Sequence, residues 1–126
     1  METAKNVCLA GVKSVTIHDP TLASRADQNG NFYIDRAIDC DASGLLLPHT
    51  SRAELTAPRL RALNPNVVVS ATWEAVTDNA AREALVAGHD VLIVTDIPHS
   101  EAIAFNRCCR AANVKFVAAE VTDAHC

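Results

Sequence analysis

A carboxylate at the end of a short β-branched run is the residue best placed to do chemistry in this chain. Ser14-Val15-Thr16-Ile17-His18 reads as a strand, and Asp19 follows it. Residues 4–13 carry apolar side chains on one helical stripe, with Gly11 where a helix would be capped. Helix, strand and terminal acid form the back half of a mononucleotide-binding β-α-β unit. In such a unit the acid accepts ribose hydroxyls, and a glycine loop ahead of the helix cradles phosphate. Only Met1 precedes this helix, so the strand and glycine loop are missing and the sequence reads as a piece of a larger protein. Asp19 has a second reading, as a strand-end carboxylate capping the turn before Pro20. It is the one candidate for nucleotide binding.

Thiols and imidazoles offer less. The five cysteines are Cys8, Cys40, Cys108, Cys109 and Cys126, an odd number with no C-x-x-C pair. This argues against a disulfide framework and for a reducing compartment, cytoplasm or nucleus. A reactive thiolate needs an electropositive setting. Cys40 stands between Asp39 and Asp41, the opposite of that, and Cys108 and Cys109 fall in the second half of an apolar helical run. Core or bystander roles are expected for all of them. His18, His49, His89, His99 and His125 show no metal-ligand spacing, and His125-Cys126 is a pair where zinc needs four ligands. No catalytic residue and no metal site is expected.

The elements that position these residues follow from composition and period. A chain of 126 residues with 49% hydrophobic but 4% aromatic content builds its core from Val, Ala, Leu and Ile, as covered parallel strands do. Its net charge of −4 opposes binding to nucleic acid or an anionic membrane, and no apolar run approaches the ~20 residues that span a bilayer. Strand-like runs at 14–18, 66–70, 90–95 and 115–119 alternate with helical runs at 3–10, 51–63, 77–87 and 100–112. Thr77 or Asp78 starts the third helix, Gly88 stops it, and Pro58 should kink the second or mark a later start. The alternation predicts one α/β, Rossmann-like domain over 1–126. Its mostly parallel sheet should have about four strands, with helices on both faces. Residues 20–50 show no clean period and contain the turn signal Asn29-Gly30, which predicts a partly irregular loop region.

In order along the chain, Glu2-Thr3-Ala4-Lys5-Asn6-Val7, Leu9-Ala10-Gly11-Val12-Lys13-Ser14-Val15-Thr16 and His18-Asp19-Pro20 resemble the first adenylation-type domain of ubiquitin-activating enzymes. The likeness continues through Ala26-Asp27, Asn31-Phe32-Tyr33, Arg52-Ala53-Glu54, Pro58-Arg59-Leu60 and Leu63-Asn64. It returns at Val91-Leu92-Ile93-Val94-Thr95-Asp96, Cys109 and Asn113-Val114-Lys115-Phe116-Val117, while residues 34–48 depart from it. Adenylating members grip ATP phosphates with an Asn, an Arg and a Gln after the strand and a Lys on the next helix. The matching positions here hold Asp27, Gly30, Asn31 and Arg52. The lost Arg removes a charge that phosphate needs, and Asp27 adds an opposing one.

The resemblance is therefore to the inactive half of the activating enzymes, or to the equivalent subunit of a SUMO- or NEDD8-activating enzyme. It implies a scaffold partnered by the catalytic adenylation half. Through the parent it implies ubiquitin or a ubiquitin-like protein, ATP and magnesium, and a thioester cysteine in a separate domain. Asp96 falls near a metal-binding Asp of the adenylating relatives, although a strand-end Asp beside Pro98 also reads as a turn former. The family fold places a central strand ahead of the first helix. A chain without it exposes strand edges prone to self-association. Two other readings are a stand-alone adenylyltransferase resembling bacterial sulfur-carrier activators and a degenerate Rossmann nucleotide-binding module.

Overall fold

The computed structural model describes residues 1–120. The chain divides into two compact units, Met1–Ala75 and Val76–Cys126.

The first unit opens with α1 (Glu2–Leu9), which Gly11 ends in a left-handed turn at φ +79°. β1 (Ser14–His18) follows and pairs in parallel with β2 (Val68–Thr72), Val15 opposite Val69 and Ile17 opposite Ala71. Between them lie the short α2 (Arg25–Gly30) and the longer α3 (Arg52–Leu63). Ser51 starts α3 through a capping box. Its Oγ accepts from Glu54 N at 3.2 Å, while Glu54 Oε2 accepts from Ser51 N at 3.0 Å. The helix runs through Pro58 to Leu63, so the later start expected at that proline does not occur. Pro58 sits on the exposed side of the helix, where its ring meets solvent and not the core.

Cys8, Ile17, Ala53, Ala57, Leu60, Val67 and Val69 form the core under the two long helices. β2 begins two residues later than its sequence suggests. Asn64 Oδ1 accepts from Asn66 N at 3.1 Å and Asn64 O from Val67 N at 3.1 Å, so a turn uses the donors a strand would need.

Residues 20–50 contain α2 and otherwise turns, and they enclose a small core of their own: Ala23, Ile34 and Leu46. The chain around residues 21–25 runs antiparallel to that around 44–52. Arg52 N donates to Thr21 O, Ala23 N to Thr50 O and Leu46 N to Ala23 O, each at 2.9 Å. This stitching brings the start of α3 up against the end of β1.

The second unit holds α4 (Asn79–Val86), β3 (Val91–Thr95), α5 (His99–Ala111) and β4 (Lys115–Ala119). β3 and β4 pair in parallel with Leu92 opposite Phe116. Asp78 itself caps α4, accepting from Ala81 N at 2.8 Å, and Gly88 at φ +79° ends it. Val86, Phe105, Cys109 and Val114 form this unit's core, joined by Leu92 and Phe116. Arg82 crosses from α4 to α5, where its guanidinium meets both carboxylate oxygens of Glu101 at 2.7–3.2 Å and lies 5.8 Å from the Phe105 ring centre.

Candidate functional site

Asp19 extends the β1–β2 ladder by one bond, its N donating to Thr72 O at 3.2 Å. Its two carboxylate oxygens are then divided. Oδ1 accepts from Thr21 N at 3.0 Å, the turn before α2 that a strand-end aspartate was expected to form. Oδ2 accepts from Arg52 Nε at 2.9 Å. Arg52 reaches a second acid, Asp27, with Nη1 at 3.4 Å from Oδ1. Asp27 in turn caps α2, its Oδ2 accepting from both Ser24 N and Ser24 Oγ at 2.9 Å. The arrangement is Asp19–Arg52–Asp27, one cation between two half-buried carboxylates.

The electrostatics follow from that arrangement. Burial, the largest single influence on Asp19, pushes its pKa up, but the Arg52 guanidinium and the bonds from Thr21 outweigh it and leave the carboxyl below its ordinary value. Arg52 is opposed by burial and favoured by Asp19 and Asp27, with a net rise from an already high value. Two carboxylates and one guanidinium give the cluster one formal net negative charge. Each acid keeps lone pairs for a hydroxyl. The cluster's one cation is already engaged, so a phosphate would meet carboxylate first.

The other loop positions take structural roles. Gly30 ends α2 without a left-handed φ, and an added Cβ there would meet nothing within 4 Å. Neither backbone nor packing therefore demands glycine at 30. Asn31 accepts from Tyr33 N at 3.0 Å and reaches Thr56 Oγ1 at 3.4 Å, closing the turn after α2.

Asp96 lies in the other unit, at φ +54° just past β3, with its N donating to Ala119 O at 3.2 Å. That left-handed conformation suits a turn-forming aspartate. Among the described residues no group of three or more His, Cys, Asp or Glu converges as metal ligands would.

Cys8 and Cys109 are fully buried, and burial raises both thiols, with Cys108 adding to the effect at Cys109. Cys40 is half-buried, its Sγ 3.9 Å from Gln28 Oε1. Cys126 and His125 lie outside the described residues. His18 Nε2 bonds Glu74 O at 2.9 Å, His49 Nε2 meets Asp41 Oδ2 at 2.7 Å and His89 Nδ1 meets Ala87 O at 3.2 Å, so these three imidazoles are tied to neighbouring chain.

The sequence puts Asp19 at the end of its strand, Asp27 in the loop that follows and Arg52 at the start of the next helix, with nothing to pair them. Ser24-x-x-Asp27 was readable as a capping signature; the Arg52–Asp19 pair, 33 residues apart, carries no local signal.

No family model matches the chain. Curated relatives do. Human ubiquitin-like modifier-activating enzyme 1 is 32% identical over 120 residues, 95% of this chain and 10% of that protein. SUMO-activating enzyme subunit 1 of Xenopus laevis is 34% identical over 124 residues, 98% of this chain and 33% of that one. The chain thus spans a tenth to a third of the length of these relatives. Among solved structures, Escherichia coli MccB with succinimide superposes at a TM-score of 0.75 with 14% identity, over 95% of this chain and 33% of that one. The E. coli tRNA N6-threonylcarbamoyladenosine dehydratase TcdA, in complex with AMP, superposes at 0.69 with 20% identity over 91% and 43%. The fold is therefore the α/β Rossmann-like adenylation fold of MccB and TcdA, and the homologues are ubiquitin- and SUMO-activating enzymes.

Proposed function

We propose that this chain is part of an enzyme that activates ubiquitin or a ubiquitin-like protein, and that it supplies the non-catalytic adenylation half. The parent would adenylate the modifier's C-terminus with ATP and magnesium and pass it to a cysteine as a thioester. This segment would shape the catalytic half without contributing a reacting group. Its place of work would be the cytoplasm or nucleus.

One observation carries this reading. The Asp19–Arg52–Asp27 cluster neutralises the cation at the phosphate-gripping Lys position, and Gly30 supplies none at the Arg position. A nucleotide triphosphate brings roughly four negative charges and needs fixed cations aimed at it. A loop with a net negative charge does the reverse.

The test is calorimetry with ATP and magnesium on the purified chain. No magnesium-dependent binding is expected in the micromolar range. Micromolar binding abolished by Asp19→Ala would replace the proposal with the stand-alone adenylyltransferase, the reading that the likeness to AMP-bound TcdA favours.

A further inference from the structure

Residues 25–40 line a second site that shares no residue with the Asp19–Arg52–Asp27 cluster. It is an open cavity of about 390 Å³ bordered by Arg25, Gln28, Asn29, Arg36 and residues 37–40. Arg52, Arg59 and Arg82 each pair with a carboxylate. Among the described residues Arg25 and Arg36 have no such partner, although both are exposed and both face this cavity. Arg25 interacts with the Cys40 side chain on the same lining, so two guanidinium groups without a carboxylate partner border one cavity.

Their spacing is built in. Gln28 is buried, and its Nε2 donates to Asp35 O at 3.0 Å and Ile38 O at 2.8 Å. That amide ties the turn carrying Arg36 to the helix carrying Arg25. Guanidinium forks match the oxygens of carboxylates and phosphates in pairs. The volume falls in the usual range for small-molecule sites, roughly 300–1,000 Å³, and exceeds what a single phosphate fills. Asp39 is the one acid on the lining and is exposed, which leaves the two arginines in excess there.

We propose that this cavity binds a small oxyanionic molecule bearing at least two negative charges, bridged between Arg25 and Arg36. Phosphate and carboxylate oxygens share the required chemistry, and the inference stands apart from the role proposed for the chain.

Cys40 lines the cavity and serves as a reporter. Its alkylation by iodoacetamide is followed by peptide mass spectrometry, with the half-buried Cys108 of α5 as the reference thiol. One arm adds pyrophosphate, a second citrate, and a third sodium chloride at matched ionic strength. Saturable slowing at Cys40 but not Cys108 is expected from pyrophosphate, citrate or both. The arm that protects at lower concentration identifies the oxyanion class. In Arg36→Gln the half-maximal concentration should rise about tenfold, the loss of one charge-assisted contact pair. The wild-type arms need no variant to fold. Absence of protection at about 10 mM of either anion, ample for a millimolar site, would overturn the proposal. So would protection matched by sodium chloride, or an unchanged half-maximal concentration in the Arg25→Gln, Arg36→Gln double variant.

Discussion

Replacing Arg52 by Met removes the cation that two acids share while keeping a long apolar stem at the start of α3. A charge-assisted bond such as that from Arg52 Nε to Asp19 Oδ2 is worth about 1.5–3 kcal/mol when shielded. The Arg52 side chain is 36% exposed, so solvent screening moves the value toward the ~0.2–1 kcal/mol of surface pairs. The 3.4 Å contact to Asp27 is long and adds little. Asp19, only 20% exposed, then keeps its burial cost without its partner.

These contributions set the expected loss at about 1–1.5 kcal/mol at pH 7. Trp73, the one tryptophan, lies in the first unit and reports its unfolding by fluorescence in urea. With an m-value on the order of 1 kcal/mol/M, the midpoint should fall by about 1 M.

The pH dependence has a definite sign. Asp19 has a folded pKa below its unfolded one, so its stabilisation is complete above the unfolded value near ~3.9 and is lost as pH falls through the folded pKa. The gap between wild type and Arg52→Met should therefore shrink as pH drops below about 4. A double-mutant cycle with Asp19→Asn should return a coupling of about 1 kcal/mol. A variant as stable as wild type at pH 7, or a gap that stays constant into acid, would refute the reasoning.

Four other perturbations are as definite. Glu101→Ala strands the largely buried Arg82 guanidinium with Asn79 as its remaining oxygen partner, and should destabilise the second unit by about 2 kcal/mol in thermal unfolding. Leu60→Ala empties a fully buried site in the first unit's core and should cost about 2–4 kcal/mol, read from the Trp73 urea midpoint. Gly30→Arg should leave stability within about 0.5 kcal/mol of wild type. Gly88→Val, forced to φ +79°, should cost at least about 1 kcal/mol by circular dichroism melting.

Much of the local structure depends on neighbours within a few residues, and it was legible for that reason. The strands at 14–18 and 115–119 stand where β-branched and apolar runs put them, and Gly11 and Gly88 end their helices because each adopts a conformation a Cβ disfavours. The start of β2 was misplaced because Asn64 competes for backbone donors through its own side chain, a choice that composition does not reveal. Pro58 looked like a break and is not one, since its position on an exposed helix face was decided by which residues α3 buries.

The site shows the same division. Asp19, Asp27, Gly30 and Arg52 could be picked out as residue types at meaningful positions. That Arg52 is held by both acids required the antiparallel stitching of residues 21–25 against 44–52, a long-range pairing that no local pattern encodes. Charge along the chain is a property of the sequence. Whether a charge is free to meet a ligand depends on which other charge the fold has brought within three ångströms of it, as Asp19 Oδ2 stands 2.9 Å from Arg52 Nε.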